Sequence, residues 1–233
     1  MNTPDHVELY ARSAGLKISA RTVFVEGTSD VEYFKIASQL EEKSGGSQLL
    51  GGSFSIVAAG ERGRGGVDGL VQQLLVFRAM ASTYRDKSGR QVYRFLGLFD
   101  NDHAGRSALK LATSRNVGLQ EFSDVFNLFP VMNPAVGDPA AVGRAMLKAN
   151  DGFKGIDWEI EDMLCPSFLD EYERTYSRFL KSKKTSPGGH VHREWTPDGK
   201  TELLRFTRRN AMRQDVDRIV AALVGLRSYI GAK

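Results

Sequence analysis

A single cysteine, Cys165, in a chain of 233 residues excludes an internal disulfide and any zinc site built from several cysteines. Set among apolar neighbours, it reads as a small core filler. No apolar run approaches the roughly 20 residues that cross a bilayer, and the opening MNTPDHVELYARSAG lacks the basic-then-apolar order of a secretion signal. A cytoplasmic protein that engages no membrane is the expectation. The chain also lacks an internal repeat, a low-complexity tract and a Walker A loop. The nearest candidate for such a loop, Gly199-Lys200-Thr201, has Glu194 where its first glycine belongs.

What remains is enough for a sizeable core, since 41% of residues are hydrophobic and 26% charged. The net charge of +4 is unevenly placed. Residues 170–233 carry 14 Lys and Arg against 8 Asp and Glu, so the last quarter is +6 and the rest −2. An acidic body with a basic end suits a protein that holds metal ions in one part and attracts phosphates with the other. A solvated helical surface would give the same imbalance.

Hydrophobic patterning predicts strands alternating with helices. Arg21–Val25, Phe54–Ala58, Tyr93–Phe99 and Phe126–Val131 read as strands, and helices are expected over 5–18 (burying Val7, Tyr10 and Leu16), from beyond Glu26-Gly27 to the loop around 44–46 (carrying Val31, Phe34, Ile36, Ala37 and Leu40), and over 68–82 and 104–114. Thr28 or Ser29 is expected to cap the second of these helices, with Asp30 in its first turn. The alternation predicts an α/β fold with a mainly parallel sheet flanked by helices. Residues 133–156 read as loop with one short helix. The acidic run 157–164 is expected to stop at Pro166. Beyond it come a helix over 168–181, a flexible connection over 183–189 and a hairpin pairing 190–195 with 201–206 around Pro197-Asp198-Gly199. A closing helix covers 210–230. Residues 1–168 are thus expected to form the main domain, with its core at 20–165, and 169–233 a small basic extension of helix and hairpin.

Three acidic clusters carry the chemistry. Glu26 leaves the first strand and Asp30 enters the following helix, so both can face one cleft. Asp100-x-Asp102 follows the third strand, and Glu159-x-Glu161 repeats that spacing. In parallel sheets, ligand groups gather beyond the carboxyl ends of the strands. Grouped hard oxygens are what Mg²⁺ or Mn²⁺ needs, and two such ions roughly 4 Å apart can hold the attacking and leaving oxygens of a phosphodiester.

The segments VFVEGTSDVEYF and FLGLFDNDHAG closely resemble the Toprim domain of topoisomerases, bacterial primases and several nucleases. That resemblance implies a Rossmann-like Toprim fold, with Glu26 as general acid or base and Asp100 and Asp102 as metal ligands. The second acid Asp30, the exit His103-Ala104-Gly105 and the later Glu159-Ile160-Glu161-Asp162 are most similar to the nuclease domain of the overcoming-lysogenisation-defect (OLD) family, over about residues 20–165. The similarity implies a two-metal DNA endonuclease or nickase with Glu26, Asp30, Asp100, Asp102, Glu159 and Glu161 as ligands. It also implies a late lysine that stabilises the transition state, with Lys200 the first choice and Lys184 the second. Those proteins usually carry an ATPase domain, so the family further implies a separate ATPase or other subunit of a phage-defence system, or a homodimer. RNA is the other substrate the resemblance allows. A subunit that binds nucleic acid without cleaving it is the alternative function.

Several other residues could meet nucleic acid. Arg62 and Arg64 lie in the glycine-rich loop 60–66, where backbone N–H groups could cradle phosphate. His103 adjoins Asp102 and could touch the scissile phosphate or only cap its helix. Arg205, Arg208, Arg209 and Arg213 recur on one helical face and could track a phosphate backbone, or be solvated surface. His190-x-His192 reads as a strand of the hairpin, and Trp158 and Trp195 as packing residues.

Overall fold

Four strands form an all-parallel sheet in the order β2-β1-β3-β4: β1 (Arg21–Val25), β2 (Phe54–Ala58), β3 (Arg94–Phe99) and β4 (Val125–Asn127). The computed structural model describes residues 5–59, 66–115, 119–135 and 137–232. β1 and β3, central in the sheet, are buried on both faces, and this is why they read as near-continuous apolar runs. Val23, Val25, Leu96, Leu98 and Phe126 belong to one core cluster, and Phe24, Phe95, Phe99 and Val125 to the other. Alternate side chains serve opposite faces, as the pleat requires.

One face is covered by α1 (His6–Ser13), α3 (Val67–Thr83) and α4 (His103–Arg115). The other is covered by α2 (Thr28–Lys43) and α8 (Asp217–Ile230), with α5 (Pro139–Ala149), α6 (Pro166–Thr175) and α7 (Pro197–Asn210) joining the same cluster. Ile219, Val220, Leu223 and Leu226 of α8 are buried in one cluster with Val23 and Leu96 of the sheet. Residues beyond 168 therefore contribute to the main core. Among the described residues no helix is long and apolar enough to cross a membrane.

Several local expectations need correction. The first helix stops at Ser13 and buries Val7 and Ala11, whereas Tyr10 is exposed on its flank with its ring edge against Phe77. Gly27, rather than Thr28 or Ser29, is the N-cap of α2, and the Asp30 carboxylate accepts its N–H. β4 ends at Asn127. Farther along, the amide of Asn150 satisfies both the N–H and the C=O of Val131, so that backbone needs no strand partner. Pro166 starts α6 instead of merely stopping what precedes it, because a proline at the first helical position loses no hydrogen bond.

The hairpin is the largest displacement. It pairs β5 (Leu180–Thr185) with β6 (Val191–Trp195), antiparallel, so the first three residues of the expected flexible connection are strand and the rest form its turn. Thr196-Pro197-Asp198-Gly199 is a helix start: the Thr196 hydroxyl accepts the Gly199 N–H and Pro197 occupies the first turn. Gly199 is buried because a Cβ there would lie 2.7 Å from that of Phe179. The final helix is likewise preceded by a separate 3₁₀ turn over Arg213–Val216.

Candidate metal centre

Glu26 is the first residue beyond β1 and Asp100 the first beyond β3, at adjacent strand ends of the sheet. Glu26 Oε1 accepts the Asp100 N–H at 3.0 Å, which ties the first two acidic motifs together. The third motif is fastened to the second by a two-hydrogen-bond bridge. Asn101 N–H donates to the Trp158 carbonyl at 2.9 Å, and Trp158 N–H returns a bond to the Asn101 carbonyl at 3.1 Å. Directly after that bridge the chain turns through Glu159 into a 3₁₀ turn at Ile160–Met163. All three clusters expected from the sequence are thus brought to one edge of the sheet.

Backbone contacts orient these carboxylates. Asp30 Oδ2 accepts the Gly27 N–H at 2.9 Å, and Asp102 Oδ1 accepts the Gly105 N–H at 2.7 Å. Asp102 leaves its other oxygen for another partner, whereas Asp30 Oδ1 lies 3.5 Å from the Ser29 hydroxyl; such contacts fix a carboxylate's direction. Gly105 is needed for a second reason. A Cβ there would lie 2.0 Å from the Asp100 carbonyl oxygen, so any side chain would push α4 away from the Asp100–Asp102 segment. Gly27, with φ −130, is extended backbone that other residues adopt.

Asp30 and Glu161 are buried, and Glu26, Asp100, Asp102 and Glu159 are partly buried. Burial raises the Glu26 carboxyl to about 7, and Asp30, Asp102 and Glu159 add repulsion against one backbone hydrogen bond. Burial lifts Asp30 to about 6 and Glu161 to about 8. Asp100 is pushed well above the usual carboxylate range by burial, then by the charges of Asp30, Glu161, Glu26 and Glu159. These mutual shifts mean that the three motifs feel one another's charge.

Lys200 supplies positive charge to this group. Its Nζ lies 2.7 Å from Glu159 Oε2. Burial disfavours its charge, but Glu161, Glu159 and Asp100 outweigh that effect and raise its pKa. It arrives in the first turn of α7 and not on a hairpin. Lys184 instead lines a neighbouring cavity, together with Asn101 and Trp158.

Asp162 of the third motif and His192, which lies on a hairpin strand as expected, have a role that the sequence did not show: they hold the third motif in place. Asp162 accepts the Glu159 N–H at 3.0 Å and faces His192 Nδ1 at 2.7 Å. The signal was present in Glu159-x-x-Asp162, which has the same spacing as Gly27-x-x-Asp30, but the histidine is 30 residues away in β6. Asn127 also escaped notice. It ends β4 beside Phe99, and its buried Oδ1 has no hydrogen-bond partner.

The remaining candidates lie elsewhere. Arg62 and Arg64 are outside the described residues. His103 is exposed at the first residue of α4. Arg208 and Arg209 pair with Glu32 at 2.9 Å and Glu202 at 2.8 Å. His190 stacks on Phe153 with centroids 3.7 Å apart. Trp158 and Trp195 are buried, and Cys165 packs partly buried against the core.

The donor set is chemically suited to a hard divalent cation: six carboxylates, with free oxygens on several and strong desolvation. Their side chains are not drawn in as if around an ion, for among the described residues no three His, Cys, Asp or Glu form a ready-made ligand group. Comparison with protein-family models, with curated proteins and with solved structures finds no match.

Proposed function

We propose that this chain is a Toprim-type nuclease of the OLD kind, which hydrolyses DNA phosphodiester bonds with two divalent cations, Mg²⁺ or Mn²⁺. The observation that carries the reading is the gathering of Glu26, Asp30, Asp100, Asp102, Glu159 and Glu161, with Lys200 paired to Glu159, at the carboxyl edge of a parallel sheet. Buried carboxylates that repel one another destabilise a fold, and a site that recruits cations gives a reason for them.

Glu26, Asp100 and Asp102 would hold one ion, and Asp30, Glu159 and Glu161 the other. Bound there, the ions supply positive charge to the attacking and leaving oxygens of the phosphodiester. Without an ion burial holds the Glu26 carboxyl at about 7, and a cation bound beside it would favour the carboxylate, the form that accepts a proton. The Lys200 ammonium stays charged and provides a donor for negative charge that develops on the phosphoryl oxygens. A role in phage defence, with a separate ATPase or other subunit, extends this reading by analogy.

One observation favours a second reading, a subunit that binds nucleic acid or acts as an effector without cleaving. Lys200 already pairs with Glu159, and no three ligands stand ready for an ion among the described residues. Incubation with supercoiled plasmid and with RNA, in Mg²⁺, Mn²⁺ or chelator, separates the two. Metal-dependent nicking of plasmid is expected, with a loss on the order of 10³-fold in Glu26→Ala and Asp100→Asn. Nicking that survives in those variants sinks the proposal. Cleavage of RNA alone moves the substrate to RNA, and absence of both activities favours the non-cleaving subunit.

A further inference from the structure

On the far side of the Asn101–Trp158 bridge lies a cavity of about 360 Å³. Its volume falls within the roughly 300–1,000 Å³ of small-molecule sites, enough for one nucleobase with its sugar. It shares a wall with the acidic centre. Asn101 stands between Asp100 and Asp102, and Trp158 immediately precedes Glu159, so whatever fills the cavity lies one residue from two of the three acidic motifs.

The lining joins aromatic and aliphatic surface to cations. Phe129, Pro130 and Leu147 line it with Phe153, one face of whose ring is stacked on His190, and with Trp158, which is 2% exposed; Leu147 lies at the rim, 52% exposed. Arg106 is fixed there by Asn101 O and by Asp157 Oδ1 at 2.7 Å. Lys184 also lines the cavity and has no carboxylate partner among the described residues, unlike its neighbours Lys181 and Lys183 on β5. The Asn101 side chain accepts from Arg106 through Oδ1 and keeps its amide donors unengaged. Apolar walls, an orienting amide donor and an unpaired ammonium beside a phosphodiester-cleaving centre match one unit of a polynucleotide: base, edge acceptor and phosphate.

We propose that this cavity receives an unstacked base of the single-stranded nucleic acid next to the bond being cut, with Lys184 meeting its phosphate. The proposal rests on the nuclease reading, and it adds that the substrate strand must be unpaired at this position. A duplex holds its bases in the stack, so entry requires a single strand or a base extruded from the helix.

The test uses Leu147→Trp, which closes the cavity with an indole from an exposed position. Surface changes of this kind shift stability little, so its Tm should stay within about 2 °C of the parent. The probes are a fluorescein-labelled strand of fifteen thymidylates and an abasic strand of equal length, titrated by anisotropy in Ca²⁺. The parent protein is expected to bind thymidylate at least about tenfold more tightly than the abasic strand, the order of one stacked base. Leu147→Trp should lose that preference to within twofold while keeping its affinity for the abasic strand. Equal binding of both strands by the parent, no binding of either, or a preference that persists in Leu147→Trp overturns the proposal.

Cleavage of the same thymidylate strand in Mg²⁺ reads the nuclease function independently. Cleavage without a base preference removes the pocket and leaves the nuclease. A base preference abolished by Leu147→Trp, with no cleavage, removes the nuclease and leaves the pocket.

Discussion

Arg208 and Arg209 lie in water with a carboxylate each, whereas Asp30, Asp100 and Glu161 lie under protein and repel one another around a lysine. Both regions are dense in charge. On α7 and the turn after it, Arg205 and Arg209 pair with Glu202, Arg208 with Glu32, and Arg213 with Glu41 and Asp217. Two of these partners, Glu32 and Glu41, come from outside the last quarter, so its basic surplus is partly matched on this surface. At the sheet edge the opposite holds, and carboxylates outnumber the cations that reach them. Charge excess along a sequence and charge imbalance in space are different properties, and the second is the better pointer to a site.

The largest expected effect tests that imbalance directly. Glu26 at about 7, Asp30 at about 6 and Glu161 at about 8 keep protons in the folded protein that an unfolded chain releases near pH 4–4.5. Between those limits the folded state binds more protons than the unfolded one, so stability falls as pH rises. In chelator, Tm should drop by roughly 5 °C or more from pH 5 to pH 8 on account of these groups. Mg²⁺ at about a hundred times its Kd should restore roughly 2.7 kcal/mol at pH 8. Asp100→Asn should raise the chelated Tm at pH 8 and blunt the response to Mg²⁺, because it removes a buried charge and a ligand together. A flat pH profile with no metal shift would break the comparison, since the centre would then be no less balanced than the surface.

The next effect concerns the part of the centre that the sequence hid. His192→Ala removes the partner of Asp162, which holds the Glu159 N–H, and so loosens the third motif without touching the first two. Loss of such a support typically lowers metal affinity about 10–100-fold, readable by titrating Mg²⁺ against cleavage. His192→Asn, which keeps a donor, should recover part of it. An unchanged metal titration in both variants would show that the turn needs no such support.

That division also marks what could be read before the fold. Glu26 and Asp100 were legible because each follows a short apolar strand, and the pleat and burial of β1 and β3 leave a strong local pattern. β5 (LKSKKT) left none, because all but its first residue is exposed and no alternation separates core from solvent. Thr196-Pro197-Asp198-Gly199 satisfies the rules for a turn and for a capped helix equally well. Only Gly199, pressed against Phe179, decides between them. Lys200 was chosen by resemblance on an expected hairpin, yet it reaches Glu159 from a helix, so its place in the centre came from tertiary packing that no local pattern encodes. The same is true of Arg208 and Arg213, whose partners Glu32 and Glu41 lie on α2 at the other end of the chain.

The smallest expected effect is the sharpest test of the surface. Arg208 and Arg209 keep more than half of their side chains in water, so each ion pair is worth about 0–1 kcal/mol and is screened by salt. The double change Arg208→Ala, Arg209→Ala should move Tm by no more than roughly 8 °C and leave affinity for a single strand within about twofold, with the salt slope unaltered. Removing two phosphate contacts would instead lower that slope by about 1.4–1.8 and weaken every sequence alike. Such a result would mean that Glu32 and Glu202 release their partners when nucleic acid arrives, and that pairing in the free protein does not disqualify a cation. An unchanged slope would show that Arg208 and Arg209 make no phosphate contact and leave that role to other cations, Lys184 among them.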